Sequence, residues 1–178
     1  FYFQDGSKKE EGSWKNDKRD GLWVQNLKNG NKKKEGTYLN GKKDGVWTTW
    51  NDKELISSKY LYENNKVIDK WAFKYSFYSN GKEKSLKSTR NNKLDGDQSE
   101  WYENGQIKSN GNYTQGIEDG DFEVWYENGQ PTSKNTYIKG ALSGESNTWY
   151  ENGNKETLIN YENGIKNGVF SDWHENGQ

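Results

Sequence analysis

The sequence predicts an all-β fold: an elongated, solenoid-like antiparallel meander of stacked β-hairpins with about 24 residues per repeat. Three observations predict it. The hexapeptide Trp-Tyr-Glu-Asn-Gly-Gln at 101–106 recurs at constant spacing, Asn-Gly pairs separate short aromatic-rich segments, and aromatic residues in those segments fall on alternating sides. Each repeat is therefore expected to be one hairpin, and residues 1–178 are expected to form a single array.

The composition is unusual for a globular core. Only 28% of the 178 residues are hydrophobic, and this fraction includes the aromatic residues, which make up 15% of the chain with nine Trp and twelve Tyr. A buried aromatic ring can remove ~150–250 Å² from water, so regularly placed rings can replace an aliphatic core. We expect a thin fold without a deep interior.

The charges argue against several classes of ligand. With 26 basic and 27 acidic residues, the chain lacks the basic stripe expected of a nucleic-acid-binding protein. Zero Cys and one His exclude disulfides and thiolate metal sites, and no metal or cofactor is expected. The absence of Met and the end within a repeat suggest a trimmed fragment. The compartment therefore stays open between the cytoplasm and a bacterial cell-surface or secreted location.

The Asn-Gly pairs predict the turns. Both residues accept the positive φ of a type I′ turn, the commonest short hairpin connection. With 128–129 at the centre of such a turn, Tyr126 faces Pro131. Phe122 then faces Asn135. The glycines expected to be structural turn residues are Gly30, Gly81, Gly105, Gly129, Gly153 and Gly177.

A second loop, such as 40–45, should return the chain to the next hairpin. The same counting places Trp23 opposite Gly36 and Trp47 opposite Tyr60, while the second loop places aromatic residues side by side. The expected neighbours are Tyr38 with Trp47, Trp14 with Trp23, Tyr62 with Trp71, Tyr113 with Phe122 and Tyr161 with Phe170, whereas Thr89 faces Gln98.

Irregular copies occupy 46–96, and a regular block follows at 97–178. Asp69 replaces a glycine that closes the other repeats, and three extra residues lie between Trp71 and Phe77. An odd insertion reverses the face of every later side chain unless a bulge or a longer turn absorbs it. This segment is the expected bend or discontinuity.

Strand alternation assigns the aromatic residues to two faces. The first face carries Trp23, Trp47, Phe122 and Phe170, together with Tyr102, Tyr126 and Tyr150, and Phe122 and Phe170 are assigned to packing there. The second face carries a row of indoles that either closes into a core or binds a partner. The candidate partner-binding residues are Trp50, Trp101, Trp125, Trp149 and Trp173.

No catalytic residues are predicted, and the chain is not expected to be an enzyme. His174, the only His, replaces the Tyr of the other hexapeptides and has no second ligand or acid-base partner. Glu103, Glu127, Glu151 and Glu175 precede the turn in every copy, as a periodic architecture requires. The lysines at 31–36 are a candidate anionic-lipid patch, although acidic neighbours weaken it.

The repeat unit resembles the MORN repeat, in the variant found in bacterial YwqK-type antitoxin proteins. The matching residues are the hexapeptides at 101–106 and 125–130, the segment Lys-Ser-Asn-Gly-Asn-Tyr at 108–113 and the Asp-Gly at 119–120. This resemblance implies stacked hairpins that hold other proteins and, in eukaryotic relatives, contact membrane lipid. It implies no catalytic residues.

We therefore expect a non-enzymatic scaffold for protein-protein interaction, with an antitoxin- or immunity-like role. The alternative is a cell-surface or cell-wall module that binds carbohydrate through the aromatic row, since exposed apolar patches mark interaction sites.

Overall fold

A computed structural model describes residues 1–178 and contains sixteen strands and no helix. Each paired strand runs antiparallel to its partner, and the strand order follows the chain. The predicted all-β antiparallel meander is confirmed. The chain divides into two compact units, Phe1–Phe73 and Lys74–Gln178, and the boundary falls within the segment that carries the three extra residues.

The first unit contains five complete strands and most of a sixth. They are β1 (Glu10–Lys15), β2 (Lys18–Asn26), β3 (Lys32–Leu39), β4 (Lys42–Trp50), β5 (Ile56–Glu63) and β6 (Lys66–Phe77).

The second unit begins within β6 and contains ten further strands. They are β7 (Glu83–Arg90), β8 (Lys93–Trp101), β9 (Ile107–Thr114), β10 (Ile117–Glu118), β11 (Gly120–Trp125), β12 (Pro131–Ile138), β13 (Ala141–Leu142), β14 (Gly144–Trp149), β15 (Lys155–Glu162) and β16 (Ile165–Asp172).

Two-residue turns join one set of neighbouring strands. Asn40 and Gly41 have φ of 51° and 85°, and Leu39 pairs with Lys42 across them. Positive φ at both central residues defines the type I′ turn, whose twist matches that of the flanking strands. The same conformation occurs at 16–17, 64–65, 91–92, 115–116, 139–140 and 163–164.

The repeated hexapeptide forms a different turn, so the type I′ prediction is wrong there. Gly129 has φ of 86°, but Asn128 keeps an ordinary negative φ. The N–H of Tyr126 donates to the carbonyl of Gln130 at 2.8 Å, and that of Gly129 donates to the carbonyl of Tyr126 at 3.0 Å. These bonds describe a three-residue loop in which a type I turn is followed by a left-handed glycine.

This loop changes the local pairing and then restores it. Tyr126 lies opposite Gln130 instead of Pro131, which pairs with Trp125. A bulge in the next step of the ladder shifts the register by one residue. The predicted pairing of Phe122 with Asn135 is therefore confirmed.

The glycine that closes most repeats produces a second, larger irregularity. Thr37 pairs with Asp44 and Glu35 pairs with Thr48, so two additional residues, Gly45 and Val46, lie on one strand. Gly45 has φ of 72°, a conformation that glycine adopts without strain. Because two residues are inserted, the alternation of faces is preserved.

The copy with Asp69 in place of this glycine behaves differently. Tyr62 pairs with Val67 and Leu61 pairs with Asp69, so the register shifts by one residue only. Trp71 consequently pairs with Lys59, on the face opposite to Tyr62, and the predicted neighbourhood of Tyr62 and Trp71 is wrong. The three extra residues lengthen β6, which has 12 residues, and no longer turn forms.

Aromatic rings on the first face form the core of the first unit. Trp23 and Trp47 are only 2% exposed. Trp14 contacts Trp23 at 5.6 Å between ring centroids, and Tyr38 contacts Trp47 at 5.0 Å, both edge to face. These two predicted neighbour pairs are confirmed. Further edge-to-face contacts join Trp23 to Tyr38 at 5.9 Å and Trp47 to Tyr62 at 6.4 Å.

The second unit repeats this arrangement on a smaller scale. Phe122 contacts Tyr113 at 5.3 Å and Tyr137 at 5.0 Å, which confirms the predicted pair Tyr113 and Phe122. Edge-to-face pairs contribute ~0.5–1.5 kcal/mol beyond the area they bury. A chain of such pairs can therefore stabilise a sheet that has no second layer.

A glycine beneath each packed ring makes this burial possible. The Trp47 indole lies directly on the backbone of Gly36, and a Cβ there would overlap the ring. Its Nε1–H donates to the carbonyl of Thr37 at 3.0 Å. Gly12 lies beneath Trp23 and Gly111 beneath Phe122 in the same way. The strand glycine and the ring therefore act as a pair.

Copies that lack this pair lose the packed ring. Phe170 lies opposite Ile159 and is 62% exposed, so its assignment to packing is wrong. Gln98 lies opposite Lys87, and its Nε2 donates to the carbonyl of Ser88 at 2.8 Å, where other copies place an indole N–H. Thr89 pairs with Leu94 instead of Gln98.

The pairing of glycine and ring predicts a specific coupling. Gly36→Ala should lower the free energy of unfolding by about 1–3 kcal/mol, because the added Cβ overpacks the Trp47 ring. In a Trp47→Ala background the same change should cost little, since the ring is absent. Urea unfolding followed by circular dichroism measures both. Lys87→Ala, at the copy without a ring, is the matched control, and an equal cost there would contradict the coupling.

Candidate interaction surface

Five indoles occupy equivalent register positions on the second face of their own unit, and the four of the second unit are here named the indole row. Four end their strands immediately before a loop, and Trp173 directly follows β16. All are half-buried, and none contacts another aromatic ring, unlike the chain of rings on the first face. The indole row consists of Trp101, Trp125, Trp149 and Trp173 in the second unit, and Trp50 holds the equivalent position in the first unit.

The residues opposite these indoles are mostly apolar. Trp125 pairs with Pro131, Trp50 with Ile56 and Trp101 with Ile107, whereas Trp149 pairs with Lys155. Pro131 begins its strand, where its missing N–H removes no ladder hydrogen bond.

Tyrosines of the hexapeptide hold the row in place. In the second unit, each Tyr hydroxyl donates to the carbonyl of the Trp in the following repeat. The bonds run from Tyr78 to Trp101 at 2.7 Å, from Tyr102 to Trp125 at 2.7 Å, from Tyr126 to Trp149 at 3.0 Å and from Tyr150 to Trp173 at 3.0 Å.

Asparagines of the same loops form a parallel series. The side chain of Asn128 accepts from the N–H of Gln130 at 2.9 Å and donates to the carbonyl of Glu151 in the next loop at 2.9 Å. Asn104 bonds the carbonyl of Glu127 at 3.3 Å, and Asn152 bonds that of Glu175 at 2.9 Å. The hexapeptide recurs because each copy joins its loop to the next one.

Sequence reasoning missed this role. It placed Tyr102, Tyr126 and Tyr150 on the first face, whereas they begin the loops and form hydrogen bonds with the next repeat. A signal was present, because the Tyr and Asn recur at the same spacing as the Trp and Glu that they bond.

Charged and polar side chains lie beside the row. Lys134 pairs with Glu123 at 2.8 Å, and this hydrogen bond raises the pKa of Lys134 above its ordinary value. The ammonium of Lys155 lies 5.7 Å from the Trp173 ring centroid, and that of Lys32 lies 5.7 Å from the Trp50 centroid. These cations lie within the range of cation-π attraction.

An open cleft of about 530 Å³ adjoins Trp149. Lys134, Glu145, Asn147 and Lys155 contribute to its lining. Asn147 is 8% exposed, and its Oδ1 has no hydrogen-bond partner. The cleft thus places one indole among polar and charged side chains.

The sequence also singles out His174, the lysines at 31–36 and the turn glycines. The N–H of His174 donates to the carbonyl of Gln178 at 2.8 Å, so His174 takes the loop position of Tyr126. Lys32 pairs with Glu35 at 2.8 Å, whereas Lys34 lies over Trp47 on the first face, so the run 31–36 divides between the faces. All six predicted turn glycines have positive φ: Gly30, Gly81, Gly105, Gly129, Gly153 and Gly177.

No group of three or more His, Asp or Glu residues is placed to hold a metal ion. The structure contains no helix that is long and apolar enough to cross a membrane.

A known family model matches three repeats of the second unit. The family model of the MORN repeat variant matches residues 94–115, 118–139 and 142–163. These three segments are MORN-like repeats. Each match begins two residues after a type I′ turn, includes one hexapeptide loop and ends at the first residue of the next type I′ turn. No curated protein matches the sequence.

The loop contacts predict a measurable contribution to stability. Tyr126→Phe removes the hydrogen bond to the Trp149 carbonyl and should lower the free energy of unfolding by about 0.5–1.5 kcal/mol. Tyr137→Phe is the control, because Tyr137 packs through its ring against Phe122. Urea unfolding of both variants provides the test, and equal losses would contradict a specific role for the loop hydroxyl.

Proposed function

We propose that the chain is a non-enzymatic MORN-type repeat scaffold that binds another protein through the indole row. The observation that carries this proposal is the recurrence of half-buried indoles that are not used in ring packing. Trp is enriched at the residues that dominate protein-protein binding energies. A row of such residues, held at one register position, suits a partner that extends along several repeats.

The fixed position of the indoles supports this role. Binding costs free energy when side chains must be ordered at an interface. Here the backbone of Trp125 and Trp149 is tied to the preceding repeats by Tyr102 and Tyr126. The backbone that carries these two indoles is therefore fixed before a partner arrives.

The specific role that we propose is antitoxin- or immunity-like: the chain occupies a partner protein and so blocks its activity. The support is the resemblance of the hexapeptide repeats to the bacterial variant, together with the three MORN-like repeats in the second unit. Scaffold binding of this kind requires area spread over repeats and no catalytic group.

The proposal predicts which face a partner needs. Trp125→Ala and Trp149→Ala should each weaken binding of a protein partner at least tenfold, because each removes a large contact on the second face. Phe170→Ala is the matched control, since Phe170 is an exposed aromatic residue on the other face. Binding is measured by co-precipitation from a bacterial lysate, with circular dichroism to verify folding. Loss with Phe170→Ala alone would contradict the proposal.

Carbohydrate is a second candidate, favoured by the cleft in which Trp149 adjoins polar side chains. Sugar rings stack on indole faces, and their hydroxyl groups form hydrogen bonds with polar side chains. The Trp149→Ala variant also separates the two candidates. If a soluble cell-wall glucan quenches the Trp fluorescence of the unaltered chain but not that of Trp149→Ala, the ligand is a carbohydrate and not a protein.

A further inference from the structure

The first face of the first unit is selectively cationic, although the whole chain carries a formal charge of −1. Strand pairing places almost all acidic strand residues of this unit on the second face: Glu11, Asp20, Glu35, Asp44, Glu63 and Asp69. Glu10 is the exception on the first face. Four half-buried cations share that face: Arg19, Lys34, Lys43 and Lys70.

These cations lie over the aromatic core. The guanidinium of Arg19 lies 4.1 Å from the Trp23 ring centroid, and the ammonium of Lys43 lies 4.7 Å from that of Trp47. Lys34 lies over the same Trp47 ring at 5.5 Å. Attraction to the rings holds the cations against the sheet.

Only one of the four has an acidic partner. Arg19 forms an ion pair with Glu10 at 3.1 Å. Lys34 and Lys43 share one indole, and neither has a carboxylate within ion-pair distance. Loss of hydration, followed by the charge of Lys34, lowers the pKa of Lys43. Two neighbouring half-buried cations repel each other, and a bound anion would relieve that repulsion.

The positions of the cations suggest the form of the anion. Arg19 and Lys43 begin equivalent hairpin strands, β2 and β4, which lie ~9.6 Å apart at a strand spacing of ~4.8 Å. A polyproline II segment advances ~9.3 Å in three residues and returns its side chains to the same side. Carboxylates at every third residue of such a segment would therefore meet successive hairpins.

We propose that this cationic face binds an extended acidic segment of a partner protein, with one carboxylate between Lys34 and Lys43. The inference rests on the proposed scaffold function and adds a second contact, on the face of the first unit opposite to Trp50. A bilayer attracts exposed basic clusters at its surface. These cations are half-buried on a strand face, where a single extended chain can lie across the strands.

Synthetic peptides test the proposal directly. One labelled 12-residue peptide carries Glu at every third position between Pro and Ser, and a second has the same composition with its four Glu contiguous. Fluorescence anisotropy at low salt should show at least fivefold tighter binding of the spaced peptide, weakening as salt is raised. Lys34→Gln with Lys43→Gln should weaken binding at least tenfold. Lys139→Gln with Lys166→Gln, in the second unit, is the matched control.

Three outcomes would overturn the proposal: equal binding of the two peptides, equal loss in the control variant, or binding of phosphatidylserine vesicles without binding of either peptide. Circular dichroism of the double variant verifies that it is folded. Failure of the peptide experiment would leave the proposal for the indole row unaffected. The alanine variants of Trp125 and Trp149 test the second face, and they measure binding of a different ligand.

Discussion

Strand register is the constraint on which the structure depends. A sheet with no second layer separates its roles by face, and a shift of one residue exchanges the faces. Each regular repeat includes a type I′ turn, a two-residue bulge at the closing glycine, a three-residue loop and a one-residue bulge. The bulge after the loop compensates for the loop, and the glycine bulge leaves the alternation unchanged. Trp47 and Trp50 therefore lie on opposite faces of one strand.

Two local devices stabilise this thin sheet. On the first face, a strand glycine lets an indole lie on the neighbouring backbone, as Trp47 does on Gly36. At the loop edge, the Tyr and Asn of each hexapeptide bond carbonyls of the next repeat. Both devices act between neighbours in sequence, as expected when stability is a sum of local terms. Neither requires the indole row, which leaves that row available to a partner.

Much of the fold could be predicted from the sequence, because spacing and alternation determine pairing. Trp23 opposite Gly36 and Trp47 opposite Tyr60 follow from counting alone. The turn type does not, since Asn-Gly fits both a type I′ turn and a type I turn with a left-handed glycine. Phe170 is exposed because Ile159, eleven positions earlier, stands where the packed copies have a glycine. The sequence predicts this exposure only once the role of the strand glycine is known. The partner is the least predictable feature, since a repeated surface specifies no single pocket.

The central claim is that register separates a packed aromatic face from an accessible indole row. The most direct test is ¹⁹F NMR of the chain labelled with 5-fluorotryptophan, with resonances assigned by single substitutions and a soluble paramagnetic agent added. The account predicts that the Trp23 and Trp47 resonances keep their line widths, while those of Trp101, Trp125 and Trp149 broaden. Equal broadening of both sets, or broadening of Trp23 and Trp47 alone, would contradict it.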